Sequence, residues 1–244
     1  MKPFLLLSSR AEDLAADGEH AAFLRFARLR SDELERVRME AAPFLPVSLE
    51  RYSGVIVGGS PYDASTPEQD KSSAQRRVEA EMSTLLDDIV DRDFPFLGAC
   101  YGVGTLGLHQ GAVIDRTYAE PISAVTITLT DEGRADPLLH GLPSSFDAFV
   151  GHKEACRVLP PHAVLLASSA TCPVQMFRVR ENLYATQFHP ELDLEGITTR
   201  IGVYRDYGYY RSKEYDEVVA RVRSAVVSEP ARILEAFVAR YGGT

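Results

Sequence analysis

Apolar residues follow two patterns along the first half of the chain. Short uninterrupted runs occur at Lys2–Ser8, at Gly54-Val55-Ile56-Val57 leading into Gly58-Gly59, and at Phe94-Pro95-Phe96-Leu97-Gly98. Runs of this length, bounded by glycine or proline, mark strands buried on both faces. Between them lie polar stretches with helical apolar spacing. Asp17–Leu29 carries Ala21, Ala22, Phe23, Phe26, Ala27 and Leu29, and Glu68–Val90 carries Val78, Met82, Leu85, Leu86 and Ile89. Val103–Gln110 reads as a third helix, and Leu34–Met39 as a short strand or a helix extension. Strand alternating with helix predicts a parallel sheet covered on both faces. The second half changes character. Ile122–Leu129 alternates apolar and hydroxyl residues, as a half-exposed strand does, and Val164–Ala167, Pro173–Val179 and Leu183–Phe188 add strand-like runs. Tyr215–Tyr241 reads as helical, interrupted at Pro230. The expectation is one α/β domain over residues 1–244, a doubly wound, mostly parallel sheet with a small antiparallel extension.

Charge and composition narrow the function. The chain has 244 residues, and its 35 acids against 26 bases give a net charge of −9 without a basic stripe, which argues against nucleic acid as a partner. Phe4-Leu5-Leu6-Leu7 is soon followed by Arg10, Glu12 and Asp13, too short a run for a membrane span or a leader. Three widely spaced cysteines, Cys100, Cys156 and Cys172, make no disulfide framework and point to a reducing, cytoplasmic setting. His109, His140 and His162 lack metal-ligand spacing and no phosphate loop is present, so no cofactor or metal is expected. The acidic residues Asp87, Asp88, Asp91 and Asp93 read as solvated surface.

Two segments carry candidate chemistry. In Phe96-Leu97-Gly98-Ala99-Cys100-Tyr101-Gly102 a buried strand runs into Gly-x-Cys-x-Gly and a helix follows at once. This is a nucleophile elbow with cysteine in the serine position. It predicts a strained, exposed Cys100, a helix dipole favouring thiolate, and a Tyr101 N–H aimed at an oxyanion. Gly102-Val103-Gly104-Thr105-Leu106-Gly107 overlaps it and matches a dinucleotide fingerprint, with Asp115 ending a following strand. The intervening helix is too short for a nucleotide-binding unit. The second segment is Gln187-Phe188-His189-Pro190-Glu191. A carboxylate two residues after the histidine can hold one imidazole nitrogen and leave the other for a thiol.

Gly58-Gly59-Ser60-Pro61, Gly98-Ala99-Cys100-Tyr101-Gly102 and Gln187-Phe188-His189-Pro190-Glu191, in that order, resemble the class I glutamine amidotransferases. Within them the likeness is to the branch related to the amidotransferase domain of GMP synthase, and it runs roughly from Ser53 to Leu192. The resemblance implies a flavodoxin-like fold, with Cys100 as nucleophile, His189 as general base and acid, and Glu191 as orienting carboxylate. It also implies an oxyanion donor from the Gly58-Gly59 turn, the Gly59 N–H foremost, and a site histidine at His152 in Val150-Gly151-His152-Lys153-Glu154. Relatives carry a substrate-holding glutamine four residues after the cysteine, where this chain has Gly104. The implied activity is thioester-mediated hydrolysis of glutamine to glutamate and ammonia. The alternatives are a stand-alone hydrolase of larger γ-glutamyl amines or peptides, and a non-catalytic regulatory module of the same fold. About 50 residues follow the triad, too few for a synthetase domain, so an acceptor reaction implies a separate synthetase subunit. Tyr204, Tyr207, Tyr209, Tyr210 and Tyr215 cluster beyond the triad and read as loop packing.

Overall fold

A computed structural model describes residues 1–205 and 207–243. In chain order the elements are β1 (Phe4–Ser8), α1 (Asp13–Phe26), β2 (Leu34–Arg38), β3 (Gly54–Val57), α2 (Ser73–Asp91), β4 (Phe96–Ala99), α3 (Tyr101–His109), β5 (Val113–Asp115), β6 (Glu120–Leu129), α4 (Asp131–Ala135), β7 (Ser145–His152), β8 (Ala155–Val158), β9 (Ala163–Ser168), β10 (Met176–Val179), β11 (Leu183–Thr186), α5 (Leu194–Val203), α6 (Tyr215–Arg223) and α7 (Ala231–Tyr241). Leu34–Met39, open between strand and helix in the sequence, is a strand. The tail is two helices, with Ser224–Pro230 outside both.

The main sheet has nine strands in the order β2-β1-β3-β4-β11-β10-β9-β6-β7. β2 through β11 pair in parallel, and β10, β9, β6 and β7 continue antiparallel. Alternation of side chains explains the uninterrupted apolar runs. Leu5, Leu7, Val55 and Val57 pack with α2 and α3 residues such as Val78, Met82 and Leu106 on one face. Phe4, Leu6 and Ile56 pack with Phe23 of α1 and Ile233, Leu234 and Phe237 of α7 on the other. A third cluster joins Ile122 and Phe149 of the antiparallel half to Ile197 and Ile201 of α5 and Val222 of α6.

The dinucleotide reading fails on topology. β5, which ends at Asp115, pairs antiparallel with β8 in a separate two-stranded sheet, so no parallel βαβ unit follows the glycines. Among the described residues no helix is long and apolar enough to cross a membrane.

Candidate active site

The carboxyl ends of β1, β3, β4 and β11 lie side by side, the edge at which open α/β sheets place their ligands. β4 delivers Cys100. Its amide donates to the Thr186 carbonyl at 2.7 Å, tying it to β11, and Tyr101 then opens α3. The turn is so tight that Cys100 holds φ 55° and ψ −83°, backbone values that a non-glycine residue adopts only under strain. A Cβ on Gly98 would stand 2.6 Å from the Gly102 Cα, so the flanking glycines let strand and helix meet. The cysteine is half-buried rather than exposed. Burial pushes its thiol up to about 12, while Arg10 pulls the other way. Burial thus works against the thiolate that the helix dipole and Arg10 favour.

β11 leads through Gln187 to His189, whose amide donates to the Phe149 carbonyl at 3.0 Å. His189 and Cys100 line one cavity of about 40 Å³, together with Arg10, Ser60, Arg200 and Tyr209. Two groups approach His189 Nδ1, Glu191 Oε1 at 2.8 Å and Arg200 Nη1 at 3.1 Å. An Nδ1–H donating to the carboxylate satisfies the shorter contact, whereas the other tautomer would set two lone pairs against each other. That assignment leaves Nε2 as the basic nitrogen. Burial drives the His189 pKa below its ordinary value despite the Glu191 charge. Burial alone would raise the Glu191 carboxyl, but His189 and Arg200 outweigh it and hold it well below the usual carboxylate range.

Behind this pair lies a buried ionic cluster that no motif announced. Arg200 of α5 donates through Nη2 to Glu191 Oε1 at 2.8 Å and to Glu19 Oε1 at 3.1 Å. Glu19 of α1 also accepts from Ser8 Oγ at 2.8 Å and from Arg10 Nε at 2.8 Å. Glu19 comes against Gly58, where a Cβ would fall 2.5 Å from its carboxylate, and a Cβ on Gly59 would fall 2.6 Å from Arg10 Nη2 and 2.7 Å from His189 Cε1. Neither glycine has positive φ. The pair is there for space. The Gly58 N–H donates to the Leu7 carbonyl at 3.0 Å, so Gly58 cannot serve as an oxyanion donor. The N–H groups of Gly59 and Tyr101 bond to no described residue and remain candidates.

On the other side of Cys100 a cavity of about 10 Å³ is bordered by Tyr101, His152, Glu154, Gln187 and Tyr209. His152 does not present a free nitrogen to it. Its Nε2 meets Glu120 at 2.7 Å and its Nδ1 meets the Glu154 carbonyl at 2.9 Å, so it supports the wall. Glu154 accepts from the amides of Ala64 and Ser65, each at 2.7 Å, and its Oε1 would stand 2.9 Å from a Cβ on Gly104. A carboxylate therefore occupies the room into which a glutamine at position 104 would grow. Among the described residues no group of acidic, histidine and cysteine side chains could hold a metal ion.

The glutamine amidotransferase class-I family matches this chain over residues 25–201, a span that contains Gly58-Gly59, Cys100, His189 and Glu191. The chain belongs to that family. Among curated relatives, a glutamine-hydrolysing GMP synthase subunit of Thermoplasma volcanium is 32% identical over 114 residues, 46% of this chain and 55% of that one. The corresponding GMP synthase subunit of Thermococcus kodakarensis is 34% identical over 112 residues, 45% of this chain and 57% of that one. The chain spans about half the length of these relatives. A solved glutamine amidotransferase from Thermotoga maritima superposes with a TM-score of 0.78 over 100% of both chains at 20% identity, a likeness of fold.

The candidate site of this amidotransferase-family chain also contains residues that nothing in the sequence pattern points to. Arg10, Glu19 and Arg200 are single charged residues on separate elements, and nothing in their spacing links them. Only α5 left a trace, with Asp193 as a capping residue and Ile197 and Ile201 four apart. Of the tyrosines, Tyr204 is buried with its hydroxyl accepting from Arg10 Nη1 at 3.0 Å, and Tyr209 borders both cavities, whereas Tyr207 is exposed.

Proposed function

We propose that this amidotransferase hydrolyses the γ-carboxamide of glutamine through a thioester on Cys100, releasing glutamate and ammonia. The observation that carries the reading is the strained Cys100 sharing a cavity with His189, whose Nδ1 is held 2.8 Å from Glu191. Cys100 Sγ attacks the carbonyl carbon as its proton passes to His189 Nε2. The tetrahedral oxygen takes the N–H groups of Gly59 and Tyr101. His189 returns the proton to the leaving nitrogen, and water then attacks the thioester with His189 again as base. Glu191 fixes the imidazole and stabilises its cation.

The relatives named as GMP synthase subunits support an ammonia acceptor on a separate synthetase chain. Glu154 standing against Gly104 favours a second reading, in which the substrate is a larger γ-glutamyl amine. Glutamate release from glutamine and from a panel of γ-glutamyl amines and peptides separates the two. Release that survives Cys100→Ala, or none with any of the substrates, would remove the proposal.

A further inference from the structure

Arg10 follows β1 and is 4% exposed. Its Nε is committed to Glu19 and its Nη1 to the Tyr204 hydroxyl, while Nη2 bonds to no described residue. A guanidinium is always charged and carries two N–H bonds on that nitrogen. That nitrogen is not fully enclosed, so its N–H bonds stay open to whatever enters the cavity that Arg10 lines. They lie beside the candidate reaction centre. Nη2 stands 2.6 Å from the point where a Cβ on Gly59 would lie, and His189 Cε1 stands 2.7 Å from that same point. Arg10 also lines the Cys100 cavity.

The guanidinium is held as well as placed. Glu19 fixes one edge, the Tyr204 hydroxyl another, and the Tyr204 ring lies 5.5 Å from Cζ. Glu19 is itself fixed by Ser8 and Arg200. A preorganised cation beside a centre where negative charge develops needs no reorientation during the reaction, which makes such groups effective catalysts.

We infer that Arg10 is a further catalytic residue, whose free Nη2–H bonds donate to the negative charge that develops on the Cys100 sulfur and on the carbonyl oxygen it attacks. The inference rests on the thioester reading for the oxygen and not for the sulfur. In the attack the S–H proton moves to His189, the S–C bond forms, and the carbonyl π pair moves to oxygen, beside Gly59 and Arg10. Collapse restores the carbonyl, breaks the C–N bond and returns the proton to nitrogen. Besides Arg10, the charges facing Cys100 are Glu191 with His189 after β11, Glu154 after β7 and Arg200 on α5. The two carboxylates oppose the thiolate, and Arg10 and Arg200 add positive charge to that of the His189 imidazolium formed in the attack.

The test uses the whole chain with Arg10→Gln and Arg10→Lys. The first measurement, alkylation of Cys100 by iodoacetamide as a function of pH, requires no substrate. Arg10→Gln should slow alkylation at neutral pH about tenfold and move the profile to higher pH, with Arg10→Lys between it and wild type. The second measurement is glutamate release, where Arg10→Gln should lower kcat about 10²–10³-fold with little change in KM. Because removing Arg10 leaves Glu19 one partner short, Arg10→Gln with Glu19→Gln provides a variant without that imbalance. An alkylation profile that superposes on wild type in both variants overturns the inference. A shifted profile in a protein that hydrolyses no γ-glutamyl compound would keep Arg10 coupled to Cys100 and reject the thioester reading instead.

Discussion

Two buried polar clusters flank Cys100, and each uses glutamate differently. Behind His189, Glu191 and Glu19 meet Arg200 and Arg10, so each carboxylate faces a full positive charge. Beside Gly104, the Glu154 carboxylate meets, among the described residues, the amides of Ala64 and Ser65 and no cation. The consequence is opposite titration. Glu191 is held below the usual carboxylate range, whereas burial pushes Glu154 up. Two glutamates near one cysteine thus sit in different settings, the first holding His189 Nδ1 and the second fixing a loop and filling a pocket wall.

The comparison breaks most visibly on the His189 side. His189→Ala should reduce glutamate release by about 10⁴-fold or more, and Glu191→Gln by a smaller factor, since a glutamine can still accept from Nδ1–H without its charge. Wild-type turnover in His189→Ala would end the proton-transfer assignment.

Arg200→Met should cost stability as well as activity. Glu191 would lose its cation and Glu19 one of two, and breaking a buried ion pair costs about 3 kcal/mol or more. For a chain of this size that lowers Tm by about 6–12 °C. A Tm within a degree or two of wild type would show the cluster to be energetically idle.

The pH dependence follows from the signs. Glu191 and His189 both have pKa values below their ordinary ones, so the folded state binds fewer protons than the unfolded chain. Their contribution to stability is present above the unfolded values and is lost as pH falls below them, first for the imidazole and then for the carboxylate. Glu191→Gln removes the carboxylate part. Its Tm should decline less steeply than wild type in the acid range, and parallel curves would contradict the ionic assignment.

The Glu154 side should respond more gently. Glu154→Gln keeps one acceptor for the two amides and should cost about 1–2 kcal/mol. Gly104→Gln alone would drive its Cβ to 2.9 Å from Glu154 Oε1 and 3.0 Å from Ala64 Cβ. It should therefore not enhance glutamine use unless Glu154→Ala makes room. Improvement of KM for glutamine by Gly104→Gln alone would mean the wall is soft.

The same contrast explains what was legible in the sequence. The runs at Phe4–Leu7, Gly54–Val57 and Phe96–Gly98 announce strands because both their faces are buried, and the glycines around Cys100 announce the elbow because strand and helix must touch. α5 was not read, since Leu194–Val203 is short and broken by Gly196 and Gly202. The ionic cluster was invisible for a different reason. Arg10, Glu19 and Arg200 meet only after the ends of β1, α1 and α5 converge, and no local period encodes that. Asp93 was read as solvated surface, yet it accepts from the Asn182 amide at 3.1 Å and pins the turn before β11.

The central claim is that Cys100, alone among the three cysteines, is the nucleophile of this amidotransferase. Cys156 and Cys172 are buried and line neither of the two cavities that Cys100 borders, whereas His189 shares one of them with Cys100. Incubation with a diazo-ketone analogue of glutamine followed by mass spectrometry tests the claim directly. One adduct per chain on Cys100, absent in His189→Ala, is the predicted result. An adduct on Cys156 or Cys172 with Cys100 untouched would contradict it.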